Sequence, residues 1–219
     1  MGEWSAERRL RDPRPLLIIM LKAPVMGRVK TRLAREIGAS AATGFARHAA
    51  RAAIARLSRD GRWPTILAVA PGVAVASRFW PRHCPRIGQG EGDLGARMGR
   101  LLRPALRPAI LIGADIPAVS APLIADAFKI LRRNDAIFGP ADDGGYWLVG
   151  VNRGRPRGDI FAGVRWSTAH ALADTLANLT GARVGFAARL GDVDNGESHR
   201  RLASLAGRII LPAGSRAAR

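Results

Sequence analysis

Six consecutive apolar residues, Leu16–Leu21, run directly into Lys22–Arg32 (KAPVMGRVKTR), a basic segment punctuated by Gly27. An apolar run that short reads as a strand buried on both faces, the kind found in parallel sheets covered by helices. The same rhythm recurs at Thr65–Ala70 (TILAVA), near Ile87, and at Ala109–Gly113 (AILIG), Ala136–Phe138, Tyr146–Val151 and Val184–Phe186. Helical patterns fill the intervals at Thr31–Ile37, Ala39–Leu57, Asp93–Leu106, Ala121–Arg133, Thr168–Leu179 and Glu197–Leu205, with a weak one at Val73–Trp80. This alternation predicts one α/β domain over residues 15–211. The arginine-rich ends, 1–14 and 212–219, show no pattern and read as loose tails.

Composition narrows the class. Of the 219 residues, 47% are hydrophobic, enough for a full core. Cys84 is alone and cannot close an intramolecular disulfide, which predicts a reducing, cytoplasmic setting. No apolar run approaches the roughly 18–20 residues of a membrane span, and Leu16–Leu21 is too short for a signal-peptide core. The formal charge of +18, from 35 basic and 17 acidic residues, raises a polyanion-binding module as one reading. Only Lys22, Lys30 and Lys129 are lysines, the arginines are scattered, and aromatics are 5% with one tyrosine. A base-stacking platform is therefore poorly supplied, and specific nucleic-acid recognition is not expected. Phosphorylated small ligands suit the charge better.

The loops that follow the strands carry the chemistry, as expected where ligands bind at strand ends. In Lys22–Arg32, Gly27 permits a tight backbone while Arg28, Lys30 and Arg32 bring cations to a helix start, a combination that suits phosphate. The spacing is not that of a Walker A loop. Gly90, Gly92 and Gly95 form a formal G-x-G-x-x-G with Asp115 about twenty residues on, but it follows the third strand rather than the first. It reads instead as a glycine-rich turn that lets backbone approach a base or ribose. Asp115 ends a strand in Asp-Ile-Pro, where a carboxylate can serve Mg²⁺ or, more plainly, a turn or cap. Asp142–Gly145 makes a tight loop that is also a strong hairpin signal. Ser167 or Thr168 is placed to cap the next helix. Asp192 and Asp194 share one side of an extended segment, where like charges repel unless a cation sits between them. The four histidines lack metal spacing, and no nucleophile motif is present.

In this order, K-A-P-x-x-G-x-V-K-T-R-L, Q-G-x-G-D-L-G-x-R-M, G-A-D-I-P, G-P-A-D-D-G-G-Y-W-L-V-G, W-S-T and D-V-D resemble the radical-SAM/selenodomain-associated transferases from about Leu16 to Leu202. That family is labelled glycosyltransferase and is similar, more distantly, to 2-phospho-lactate and molybdenum-cofactor guanylyltransferases. The resemblance implies a single nucleotide-diphospho-sugar transferase (GT-A, Rossmann-like) domain with a mostly parallel mixed sheet flanked by helices. It implies that Lys22, Gly27, Arg28, Lys30, Thr31 and Arg32 bind nucleotide, with Gly90, Gly92, Asp93 and Gly95 near base and ribose. Asp115, Asp192 and Asp194 would hold Mg²⁺ or Mn²⁺, with Lys30, Arg32 and Asp115 in catalytic roles. Asp143, Gly144, Gly145 and Ser167 would line the acceptor pocket. After D-V-D the family often continues with Thr and an acidic pair, whereas this chain reads Asn195-Gly-Glu-Ser198. The expected activity is divalent-metal-dependent nucleotidyl transfer from a nucleoside triphosphate to a small phosphorylated acceptor. The alternatives are glycosyl transfer from a nucleotide sugar and a non-catalytic polyanion module.

Overall fold

The computed structural model describes residues 12–103, 107–114, 116–154, 156 and 158–191. Seven strands, β1 (Leu16–Lys22), β2 (Thr65–Ala70), β3 (Arg86–Gly88), β4 (Ala109–Gly113), β5 (Ala136–Pro140), β6 (Tyr146–Val151) and β7 (Val184–Phe186), form one sheet. Their spatial order is β3-β2-β1-β4-β6-β5-β7. All run parallel except β6, which lies antiparallel between β4 and β5. The helices are α1 (Thr31–Ile37), α2 (Ala39–Leu57), α3 (Leu94–Leu102), α4 (Ala121–Leu131) and α5 (Ala171–Ala177). The sheet is mixed, mostly parallel and covered on both faces, as the sequence predicts.

Strand periodicity sorts the core into two layers. Leu17, Ile19, Leu21, Leu67, Val69, Ile110 and Ile112 face one side, packing with Ile54 and Leu57 of α2 and Ile124 and Phe128 of α4. Ile18, Ala68, Leu111, Phe138 and Val149 face the other, with Met98, Leu101 and Leu102 of α3. Successive side chains of one strand must point to opposite faces, so a strand covered twice needs an unbroken apolar run. β2 is buried at all six positions.

Element ends differ from the expectation where local chemistry intervenes. At Val73–Trp80 only a 3-10 turn forms, over Gly72–Ala76. The segment lies between Pro71 and Pro81, and Trp80 is anchored by its indole N–H to the Ala74 carbonyl at 2.8 Å. Helix α3 begins after Asp93, whose carboxylate accepts the Ala96 N–H at 2.8 Å, and stops at Leu102 ahead of Pro104. Helix α5 is shorter than Thr168–Leu179. Neither Ser167 nor Thr168 caps it; His170 holds the cap position without a side-chain bond. The Thr168 hydroxyl donates to the Arg165 carbonyl at 2.7 Å and accepts the His170 N–H at 3.2 Å, closing a turn of its own. The expected helix at Glu197–Leu205 and both tails lie outside the described residues.

Candidate functional site

Because β1 to β4 run parallel, the segments that follow them emerge at one edge of the sheet, where β6 begins and β5 ends. The segment after β1 is fixed from within. The Ala23 N–H donates to the Ala70 carbonyl at 2.7 Å, and Val29 and Leu33 are buried. Lys22, Arg28, Thr31 and Arg32 are left exposed and Lys30 half-buried. Gly27 adopts φ +75°, and Lys30 sits in the left-handed region at φ +47° where the chain enters α1.

The turn after β3 is held more tightly. The buried Gln89 amide donates to the carbonyls of Leu21 at 3.0 Å and Ala68 at 2.9 Å, tying this turn to β1 and β2. The Arg100 guanidinium donates to the Gln89 carbonyl at 2.8 Å and the Glu91 carbonyl at 3.0 Å. Gly90 and Gly92 take positive φ, and a Cβ on Gly90 would collide with that guanidinium. Asp93 spends one oxygen on the α3 cap. Gly95 lies under Trp166 and Phe161, where a Cβ would come within 2.8 Å of the indole.

Beside these segments lies a cavity of about 310 Å³, at the small end of the roughly 300–1,000 Å³ typical of ligand pockets. Its floor is Met20 of β1, Leu111 and Gly113 of β4 and Val149 of β6. Leu94 and Met98 of α3, with Tyr146, Trp147 and Trp166, form its walls. Asp143, Gly145, Ser167 and Thr168 provide its polar rim. The described lining contains no Lys, Arg or His.

The aromatic wall is ordered by its own contacts. Tyr146 packs edge-on against Phe138, with ring centroids 5.2 Å apart, and its hydroxyl lies 3.4 Å from the Thr175 hydroxyl. Burial pushes the Tyr146 phenol far above its ordinary range, so it stays neutral and is no candidate base. The Trp147 indole donates to the Ala188 carbonyl at 2.9 Å. The Trp166 indole N–H is buried without a partner among the described residues. Asp143 accepts the Gly145 N–H at 2.9 Å, which closes the β5–β6 hairpin, and Gly144 packs its backbone on Ala169. Ser167 adopts φ +60°.

The structure thus brings Asp143, Gly145 and Ser167 to one cavity; Gly144, between the first two, packs on Ala169 and is not part of the lining. It sets the Lys22–Arg32 segment and the Gly90–Gly95 turn on the same edge of the sheet. Asp115, Asp192 and Asp194 lie outside the described residues, as does any site they form. Among the described residues no group of three His, Cys, Asp or Glu side chains could hold a metal ion. Sequence reasoning missed Met20, Met98, Tyr146 and Trp166 as lining residues and Gln89 as the clamp. Met20 and Met98 were readable only as core positions, and which side of an apolar strand or helix meets a cavity is a tertiary fact. A larger cavity of about 500 Å³ opens near Leu102, Val151, Asn152 and Ile160, where β6 ends. None of the sequence motifs reaches it, so the site is assigned to the motif-bearing edge.

Comparison with known proteins agrees with this fold. A search of curated proteins finds no match to the sequence. Among solved structures, a provisionally named nucleotide-diphospho-sugar transferase from Desulfovibrio desulfuricans G20 is similar at 27% identity and TM-score 0.82, covering 92% of this chain and 91% of its own. The 4-diphosphocytidyl-2C-methyl-D-erythritol synthase of Anaerococcus prevotii DSM 20548 matches at 11% identity and TM-score 0.57, over 90% of this chain and 100% of its own. Molybdopterin-guanine dinucleotide biosynthesis protein A of Archaeoglobus fulgidus matches at 13% and 0.51, over 88% and 99%. These likenesses establish a fold shared with transferases. No described helix is long and apolar enough to cross a membrane. The family model described as "Uncharacterized protein conserved in bacteria (DUF2064)" matches residues 53–168, a span that runs from α2 past the hairpin to the Trp166–Thr168 turn. With more than half of its length under that model, the chain belongs to the DUF2064 family.

Proposed function

We propose that the protein is a transferase of a nucleotide-activated substrate, and that its reaction is nucleotidyl transfer from a nucleoside triphosphate to a small phosphorylated acceptor. One observation carries this reading: the edge divides its charge. Lys22, Arg28, Lys30 and Arg32 stand on the segment after β1, while the neighbouring cavity has no cation in its described lining. A triphosphate is held by the basic segment and the Gly90–Gly95 turn, and the acceptor enters the cavity beside Asp143, Gly145 and Ser167. An acceptor phosphate is ionised near neutral pH and needs no protein base, so positioning and charge neutralisation suffice. Asp115, Asp192 and Asp194 supply the hard oxygen donors that Mg²⁺ or Mn²⁺ prefers, and the bound ion would add positive charge at the phosphates.

Glycosyl transfer from a nucleotide sugar is the second reading. The name of the Desulfovibrio desulfuricans protein, the relative with the highest TM-score reported above, favours it. The leaving group separates the two. Purified protein with Mg²⁺ or Mn²⁺, each triphosphate and a panel of small phosphorylated acids should release pyrophosphate and yield a nucleotide-linked product. Nucleoside diphosphate and a glycosylated product, formed from nucleotide sugars alone, would replace the first reading by the second.

A further inference from the structure

The exposed apolar side chains of this protein are not scattered. Five large hydrophobics stay exposed among the described residues: Val25, Met26, Val73, Leu94 and Phe186, at 44% to 89% exposure. Single exposed hydrophobics are ordinary. Here all five lie at the same end of the strands, spread across the sheet from β3 to β7. Val25 and Met26 follow β1, Val73 follows β2, Leu94 follows β3, and Phe186 ends β7, which runs in the direction of β1. That is the edge bearing the cavity, and Leu94 belongs to both.

The lining of the cavity points the same way. Its floor and walls are apolar or aromatic, and its described lining has no cation to receive an anionic group. The Trp166 indole lies against Gly95 at the first turn of α3, next to Leu94, and so extends the apolar wall of that helix.

We infer that the acceptor is an amphiphile, with a single phosphate at the basic segment and an apolar body seated against Met20, Leu94, Met98, Tyr146 and Trp166. The inference rests on the transferase reading for the identity of the cavity as the acceptor site. It departs from a compact polar acceptor, whose body would leave these walls in contact with water.

The test uses the full chain and two phosphate monoesters of like charge, n-octyl phosphate below its aggregation concentration and glycerol 3-phosphate, by isothermal titration. Octyl phosphate should bind at least roughly tenfold more tightly, about what burying two methylenes yields. Its binding should carry the negative heat-capacity change of apolar burial. Leu94→Asp should remove most of that preference. The substitution is at an exposed position in the first turn of α3, where an acidic residue suits the helix and the fold survives. Val73→Asp, on the same edge but outside the cavity lining, should keep the preference. Equal affinities for the two esters would overturn the inference, and so would a preference untouched by Leu94→Asp. Sedimentation with anionic vesicles by wild type and Leu94→Asp alike, without an octyl preference, would also overturn it and assign the apolar edge to a lipid surface. Triphosphate titration of the same samples keeps the two readings apart. Absence of nucleotide binding sinks the transferase reading, whereas the octyl preference alone decides the seat.

Discussion

Two non-glycine residues among those described have left-handed backbones, Lys30 and Ser167, and both sit on the candidate site's edge. For an L-residue with a side chain this conformation costs energy, and such strain gathers where a structure must aim a group. Among the described residues the Ser167 side chain makes no hydrogen bond, so its strain is not repaid there. Ser167→Gly should therefore stabilise the protein by about 0.5–1 kcal/mol in denaturant unfolding, the αL penalty less the added chain entropy of glycine. A loss of stability would show that the Ser167 hydroxyl is held by a partner. Lys30 is different, because the proposed triphosphate site uses its charge. Lys30→Ala should leave the fold intact and weaken triphosphate affinity by roughly tenfold, the loss of one charge-assisted contact of about 1.5 kcal/mol. Equal affinity in isothermal titration would remove Lys30 from the phosphate site.

The helices and turns show why this edge is well shaped before any ligand arrives. Helix α3 is started by the Asp93 carboxylate and leashed to the preceding turn by Arg97, which donates to the Gly92 carbonyl at 2.9 Å, and by Arg100. Asp93→Ala should cost about 1 kcal/mol of stability by thermal or urea unfolding, the usual worth of an N-cap. An unchanged midpoint would mean that the arginines alone hold the turn. Asp93 also illustrates what sequence can and cannot say. Its place in a glycine-rich motif marked the right turn, and the strands β2, β4 and β6 were legible to the residue because continuous apolar runs have few other folds. The helix ends at 93, 102 and 171 were less legible. They depend on whether a polar side chain turns back on its own backbone, as Asp93 does for Ala96 and Thr168 does for His170. The polar rim of the cavity was legible as the hairpin loop Asp143–Gly145. The walls were not, because Met20 and Trp166 meet only after distant segments pack.

For the whole molecule, acid is the natural stress. Asp12, Asp60 and Asp174 are each held below the usual carboxylate range by a hydrogen-bonded arginine, Arg14, Arg62 and Arg165 respectively. A carboxyl depressed in the folded state stabilises fully above its unfolded pKa of 3.8, and that contribution disappears as pH falls through the folded value. Protonating the 17 acidic residues also moves the formal charge from +18 toward +35, adding self-repulsion. The melting temperature should be level from neutral pH to about 5 and then fall steeply, with Arg165→Gln making the acid limb shallower. A midpoint that peaked below pH 4 would contradict the three pairs. The antiparallel insertion of β6 has a consequence for how the chain comes into being. As synthesis proceeds, residues 16–113 can assemble four parallel strands, but the β4 edge, Ala109–Gly113, then stands open with its backbone groups unpaired. Only docking of the hairpin made by residues 136–151 closes that edge, and the same event adds Tyr146, Trp147 and Val149 to the cavity. A nascent chain halted before residue 136 is thus both an aggregation hazard and a protein with an incomplete cavity. A small molecule that fills the cavity joins the early and late halves of the fold, and so protects the entire chain from unfolding rather than one local piece.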